Sequence, residues 1–233
     1  MFKINMCSFL LLLLSIINSS SSTIINCKFF HPPHPKTVYQ CRILNNINID
    51  SGFSATIYNV TGRHKSSMIN NNVTSFYANN KNIQIFPFGL DKIFKNLLEL
   101  TIRKGSLKRI TQQNLLPFHN LTYLCLEGNL IQVIQVRLFH YNHELESIDL
   151  SNNPIFTINS SAFDNLPKLI TLKLRNNSCI DLSTDYSHLD VKEVISRVKI
   201  NCQQRNTKET KEAIQKRMKN FKYHFFNCKV EQK

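Results

Sequence analysis

Six cysteines carry the most visible chemistry of this chain: Cys27, Cys41, Cys125, Cys179, Cys202 and Cys228, while Cys7 lies inside an apolar N-terminal segment. An even set of thiols suits disulfides in an oxidising compartment, and six allow fifteen pairings. Position narrows the choice. Cys27 and Cys41 precede the periodic part of the chain and Cys179 and Cys202 follow it, and an open-ended periodic core needs a seal at each end. The bridges expected are therefore Cys27–Cys41 and Cys179–Cys202. Other chemistries find no residues to carry them. The eight histidines are scattered without metal-ligand spacing, and His31-Pro32-Pro33-His34-Pro35 reads as an extended linker. No Ser/His/Asp grouping assembles, and no glycine-rich phosphate loop occurs among only five glycines. Neither an enzyme, a cofactor nor a metal centre is expected.

The elements that must position these residues are set by a fixed period. Leu97, Leu121, Leu145 and Leu169 stand 24 residues apart, and each opens the pattern L-x-x-[LI]-x-[LI]. Leu121, Leu124, Leu126, Asn129, Ile131, Ile134 and Phe139 return 24 positions later as Leu145, Ile148, Leu150, Asn153, Ile155, Ile158 and Phe163. Forward lie Leu169, Leu172, Leu174 and Asn177; backward lie Leu97, Leu100, Ile102, Leu107, Ile110 and Leu115, with Gly105 in the asparagine position. A further step back gives Val73, Phe76, Ala78, Ile83 and Phe86, with Lys81 in that position. Alternation over six residues makes a short strand whose inward side only neighbouring repeats can complete. Ordinary amphipathic helices fit this period poorly.

The sequence thus predicts an α/β-type leucine-rich-repeat solenoid of five repeats of about 24 residues, with a parallel concave sheet. The expected organisation is a signal peptide over 1–22, an N-terminal cap over 23–72, repeats over 73–177, a C-terminal cap over 178–203 and a basic tail over 204–233. The N-cap should be strand-rich, from Thr37–Leu44 and Phe53–Asn59, with a turn over Asn48–Gly52. The C-cap should be helical. Asp190 caps it with Glu193 reaching back, Leu189 staples onto Val194, and Val191, Val194, Ile195 and Val198 form one apolar stripe.

Cys125 alternates with the inward Leu124 and Leu126, so it should point outward as an exposed thiol on the concave sheet. Two partners are open to it. Cys228 is within reach, because the 26 residues from Cys202 can span roughly 86 Å against about 10 Å across two strands. The other is a second chain, giving a disulfide-linked dimer rather than a monomer.

The outward strand positions form three columns. The central one runs Tyr77, Thr101, Cys125, Asp149, Lys173; the one before it Ser75, Glu99, Tyr123, Ser147, Thr171; the one after it Asn79, Arg103, Glu127, Ser151, Arg175. Mixed charge with two tyrosines suits a protein ligand better than a polyanion groove. Candidate contacts are Tyr77, Glu99, Arg103, Tyr123, Glu127, Asp149, Lys173 and Arg175, with Tyr77, Tyr123 and Arg103 as anchors.

Compartment and charge bear on the partner. Lys3, the apolar run Phe9–Ile17 and Ser19–Ser22 have the layout of a secretory signal cleaved near Ser22. The run is shorter than the roughly 20 residues that span a bilayer, and the charged stretch Cys228–Lys233 lacks the form of a lipid-anchor signal. Five sequons agree with secretion: Asn59, Asn72, Asn120, Asn159 and Asn176. A net charge of +14 in an extracellular protein points to acidic proteins, glycans or membrane surfaces rather than nucleic acid. From Gln203 to Lys233, nine Lys or Arg against three Glu accompany Ile214, Met218, Phe221 and Phe225 at helical spacing. This basic amphipathic helix either docks on the solenoid or attaches to an anionic membrane or glycan.

The chain resembles the short secreted leucine-rich-repeat proteins of flies, midges and mosquitoes. The resemblance is carried by Tyr39-Gln40-Cys41-Arg42-Ile43, by Asn59-Val60-Thr61-Gly62-Arg63-His64, and by Asn176-Asn177-Ser178-Cys179-Ile180 followed by Cys202. It covers roughly residues 27–202 and implies a curved solenoid with disulfide-bonded caps. The wider class includes Toll-type receptor ectodomains and mosquito immune factors, which implies extracellular recognition and innate immunity. The function expected is a secreted, non-enzymatic protein-binding module; the alternative is a basic effector acting through its tail.

Overall fold

A computed structural model describes residues 22–33, 38–50, 56–185 and 189–202. The expected signal segment up to position 21, His34, Pro35 and Thr37, positions 51–55 of the expected N-cap turn and strand, and the basic tail with Cys228 lie outside the described residues. Twelve strands follow one another among them: β1 (Ser22–Phe30), β2 (Gln40–Ile43), β3 (Asn48–Ile49), β4 (Thr56–Thr61), β5 (Ser75–Asn79), β6 (Asn82–Ile83), β7 (Glu99–Arg103), β8 (Tyr123–Cys125), β9 (Val133–Ile134), β10 (Ser147–Asp149), β11 (Thr157–Ile158) and β12 (Thr171–Lys173).

Eight of these strands form one sheet in the order β12-β10-β8-β7-β5-β2-β1-β4. The five repeat strands run parallel, and residues 24 apart face each other: Ser75 opposes Glu99, Glu99 opposes Tyr123, and Tyr123 opposes Ser147. Alternate side chains point opposite ways, so Phe76, Leu100, Leu124, Ile148 and Leu172 stack inside while the columns between them face outward. The returning arm of each repeat is short and irregular. It holds two-residue strands, the helical turns Leu90–Ile93 and Gln112–Leu115, and the 3-10 turn Ser160–Phe163. Leu107, Ile131 and Ile155 close the core from that side, each fully buried.

The inward asparagines work as a ladder. Asn153 Nδ2 donates to the carbonyls of Leu126 and Leu150 at 3.0 Å, while its Oδ1 accepts from the Ile131 amide at 3.1 Å. Asn129 does the same for Ile102, Leu126 and Leu107, and Asn177 for Leu150, Leu174 and Ile155. Each side chain therefore ties its own rung to the preceding one and satisfies the polar groups that the bend removes from the strand ladder.

The same turn explains a second period. Asn80, Lys104, Gly128, Asn152 and Asn176 all adopt positive φ, between 50° and 70°, and they stand 24 residues apart. The chain must leave each strand through a left-handed residue, a conformation open to glycine and tolerated by asparagine. Lys104 is the member with no such aptitude.

The caps seal both ends. Cys27 is bonded to Cys41 and Cys179 to Cys202. At the N-terminal end the strands are shifted from the expected spans, and a third appears: β1 runs antiparallel to β2 and parallel to β4, so the cap prolongs the repeat sheet. At the other end Asp190 accepts from the Glu193 amide at 2.8 Å and starts the helix Val191–Asn201, whose Val194 and Val198 join the core. The reciprocal half of the expected capping box is replaced, because Glu193 instead meets Arg197 at 3.0 Å one turn on. Among the described residues no helix is long and apolar enough to cross a membrane.

Candidate concave binding face

Because the N-cap continues the sheet, the outward face is wider than the five repeats. One register line crosses seven strands: Lys28, Arg42, Tyr77, Thr101, Cys125, Asp149 and Lys173. The adjacent line runs Phe30, Gln40, Ser75, Glu99, Tyr123, Ser147 and Thr171. Lys28, Phe30, Gln40 and Arg42 were missed from sequence, since the cap strands carry no 24-residue echo to set their phase.

The face is wired from strand to strand. The Arg42 guanidinium lies 4.8 Å from the Phe30 ring centroid and 4.9 Å from that of Tyr77, a cation stacked between two aromatics. Tyr77 in turn hydrogen-bonds Arg103, and Arg103 Nη2 meets a Glu127 oxygen at 2.6 Å. Burial works to lower the Arg103 pKa, but Glu127 and its other neighbours outweigh it and raise the value further. Glu127 also accepts from Asn152 Nδ2 at 3.2 Å. Tyr77, Arg103 and Glu127 thus form one network; Glu99 lies on β7 opposite Tyr123, and Arg175 follows β12.

Tyr123, Cys125 and Asp149 form the neighbouring group. Cys125 does face outward, but the exposed thiol expected from the alternation is corrected by its surroundings. Tyr123, Arg103, Glu127 and Asp149 crowd over the small side chain and leave it 3% exposed, with a free thiol. Burial pushes that thiol up to about 11, and Asp149 adds to the effect. Burial likewise raises the Tyr123 hydroxyl, with further contributions from Cys125 and Asp149.

The ligating atoms of Cys125, Glu127 and Asp149 lie within 4.8 Å of one another, a grouping that the absence of metal-ligand spacing in the sequence gave no reason to expect. Arg103 already neutralises Glu127, and the thiol holds its proton. The Asp149 carboxylate is therefore the charge that remains on the trio, with one oxygen accepting from the Ser151 amide at 2.9 Å. At the C-terminal end Lys173 meets Asp185 at 2.5 Å. Burial of Asp185 opposes ionisation, yet its hydrogen bonds from Lys173 and Ser183 hold the carboxyl below its usual range.

The sequons sit around this face. None falls in β5, β7, β8, β10 or β12: Asn72 and Asn120 precede repeat strands, Asn176 follows one, Asn59 is on β4, and Asn159 is on the returning arm. Asn59, Asn72, Asn120 and Asn176 are exposed, whereas Asn159 is half-buried with its Oδ1 accepting from the Ser161 amide at 3.1 Å.

Parallel rungs, an inward asparagine ladder and a disulfide at each end define a leucine-rich-repeat solenoid with two caps. The leucine rich repeat family model matches residues 119–179 and, overlapping them, 143–189. Among solved structures, a Drosophila Toll–Spatzle complex matches 54% of this chain at 17% identity with a TM-score of 0.44. The chain spans 17% of the length of the protein it matches there.

Proposed function

We propose that this chain is a secreted, non-enzymatic module that binds a protein ligand through its concave face, in extracellular recognition and innate immunity. The observation that carries the reading is the Phe30–Arg42–Tyr77–Arg103–Glu127 network. It fixes aromatic and arginine side chains, the residues that dominate protein interfaces, before any ligand arrives. Two features support it further. The sequons leave the repeat strands clear, so glycans would frame the face rather than cover it. The disulfides at both caps favour the extracellular compartment. Innate immunity is assigned on the resemblance of repeats and caps alone.

The test compares three forms of the secreted protein in binding to extracellular-fluid proteins: wild type, Tyr123→Arg on the face, and a chain ending at residue 203. Loss of binding in Tyr123→Arg with retention in the shortened chain supports concave-face binding. The opposite pattern would transfer the function to the tail, as a basic effector of anionic membranes or glycans, and would come with strong salt sensitivity.

A further inference from the structure

We infer that Arg42 is a docking point for a carboxylate, and that the ligand of the concave face presents an acidic segment to the N-terminal end of the sheet. The inference rests on the concave face being the binding surface and specifies the chemistry it recognises. The Arg42 guanidinium lies over two aromatic rings, which restrain its position. Phe30 and Tyr77 provide those rings, from strands on either side of β2. Among the described residues, the one polar contact of Arg42 is with Gln40 Oε1 at 3.5 Å, the outer limit of a hydrogen bond. Arg42 is exposed, and its guanidinium carries five N–H donors in all.

A planar fork whose side-chain freedom is already spent fits the two oxygens of a carboxylate, and loses less entropy on binding than a mobile lysine would.

The surroundings agree in sign. Lys28 stands opposite Arg42 on β1, with its ammonium 6.0 Å from the Phe30 centroid. The nearest outward acid along these rows is Glu99, two strands away, and Glu127 is already paired with Arg103. The wider chain repeats the bias. Residues 22–110 hold twelve Lys or Arg against three Asp or Glu, while residues 111–202 hold seven against nine. The positive potential is therefore concentrated at the end of the solenoid where the clamp sits, and it would orient an acidic partner along the axis.

The experiment titrates an oligo-glutamate peptide into the full chain and follows the ring protons of Phe30 and Tyr77 by NMR. The expected result is binding that shifts both rings and that weakens about tenfold or more in Arg42→Lys, which keeps the charge and removes the fork. Arg42→Met should abolish it, while Lys104→Met on the turn edge should leave it unchanged. Equal weakening by Arg42→Lys and Lys104→Met would overturn the clamp in favour of diffuse attraction. So would tighter, Arg42-independent binding of a sulfated oligosaccharide of matched charge. Peptide shifts confined to Tyr123 and its column would refute Arg42 while leaving the concave-face reading intact. Near-ultraviolet circular dichroism of each variant checks that the cap is folded.

Discussion

Arg103 on β7 and Glu127, just past the end of β8, meet at 2.6 Å across one rung of the solenoid, with 32% and 20% of their side chains exposed. Partial exposure screens the pair, so its own worth is on the order of 1 kcal/mol or less. A double-mutant cycle with Arg103→Met and Glu127→Gln should return a coupling of that size in thermal or denaturant unfolding. Tyr77 should move more than stability does, because Arg103→Met removes the partner of its hydroxyl. A coupling above about 2 kcal/mol would mean that the pair is a structural strut rather than a surface contact.

The thiol of Cys125 makes a prediction about pH. Its folded value of about 11 lies above the ordinary 9.0, so the folded state binds the proton more tightly than the unfolded state. The associated stability is present below about pH 9 and is lost as pH rises toward 11. Alkylation of Cys125 in the native protein should accordingly be slow at neutral pH, compared with the same protein unfolded in denaturant. Rapid native labelling at pH 7, mapped to Cys125 by mass spectrometry, would contradict the burial.

Removing a ladder asparagine should be costly. Asn153→Ala leaves the fully buried Ile131 amide without its partner and takes one of two donors from each of the Leu126 and Leu150 carbonyls, which keep Asn129 and Asn177. One unsatisfied buried group costs about 1–3 kcal/mol, so a loss of that order is expected, enough to loosen the adjoining rungs. Hydrogen exchange should show protection falling first around Leu126–Ile131. Loss confined to the variant's own rung would break the ladder account.

Two neighbours on the next turn should respond in opposite directions. Lys104 holds a left-handed φ of 50°, and Lys104→Gly removes roughly 1 kcal/mol of strain. Gly105→Asn looks from sequence like completion of the asparagine column, but a Cβ there would stand 2.9 Å from Asn129 Oδ1 and 3.0 Å from the Lys81 carbonyl. That substitution should lower the midpoint of thermal unfolding while the first raises it.

How much was legible in the sequence varies along the chain. From Leu97 to Asn177, each rung repeats the chemistry of the one before, so strand phase, core residues and outward columns all followed from spacing. Spacing fails where the repeat stops. Strand β1 pairs through backbone groups that any residue offers, and nothing in Thr23–Phe30 marks which strand it joins. Arg42 and Phe30 were invisible as face residues for that reason. Cys125 shows a different limit, because alternation gives the direction of a side chain but not the size of its neighbours. Asn142 was also missed. It stands where Phe94, Phe118 and Leu166 stand in other repeats, yet it donates to the Leu115 and Phe118 carbonyls at 3.0 and 2.9 Å and fills the apolar column with a polar group.

The margin of the sheet has a consequence for solubility in company. Among the described residues, β4 is the terminal strand of the eight, and apart from the bridge between Thr56 and Phe88 it has no strand on its outer side. An open margin of this kind invites edge-to-edge pairing between copies, which ends in aggregates. Asn59 lies on that strand, in the sequon Asn59-Val60-Thr61. A sugar there would stand as a bulky guard on that border, so unglycosylated material should self-associate as concentration rises while the glycosylated form stays dispersed.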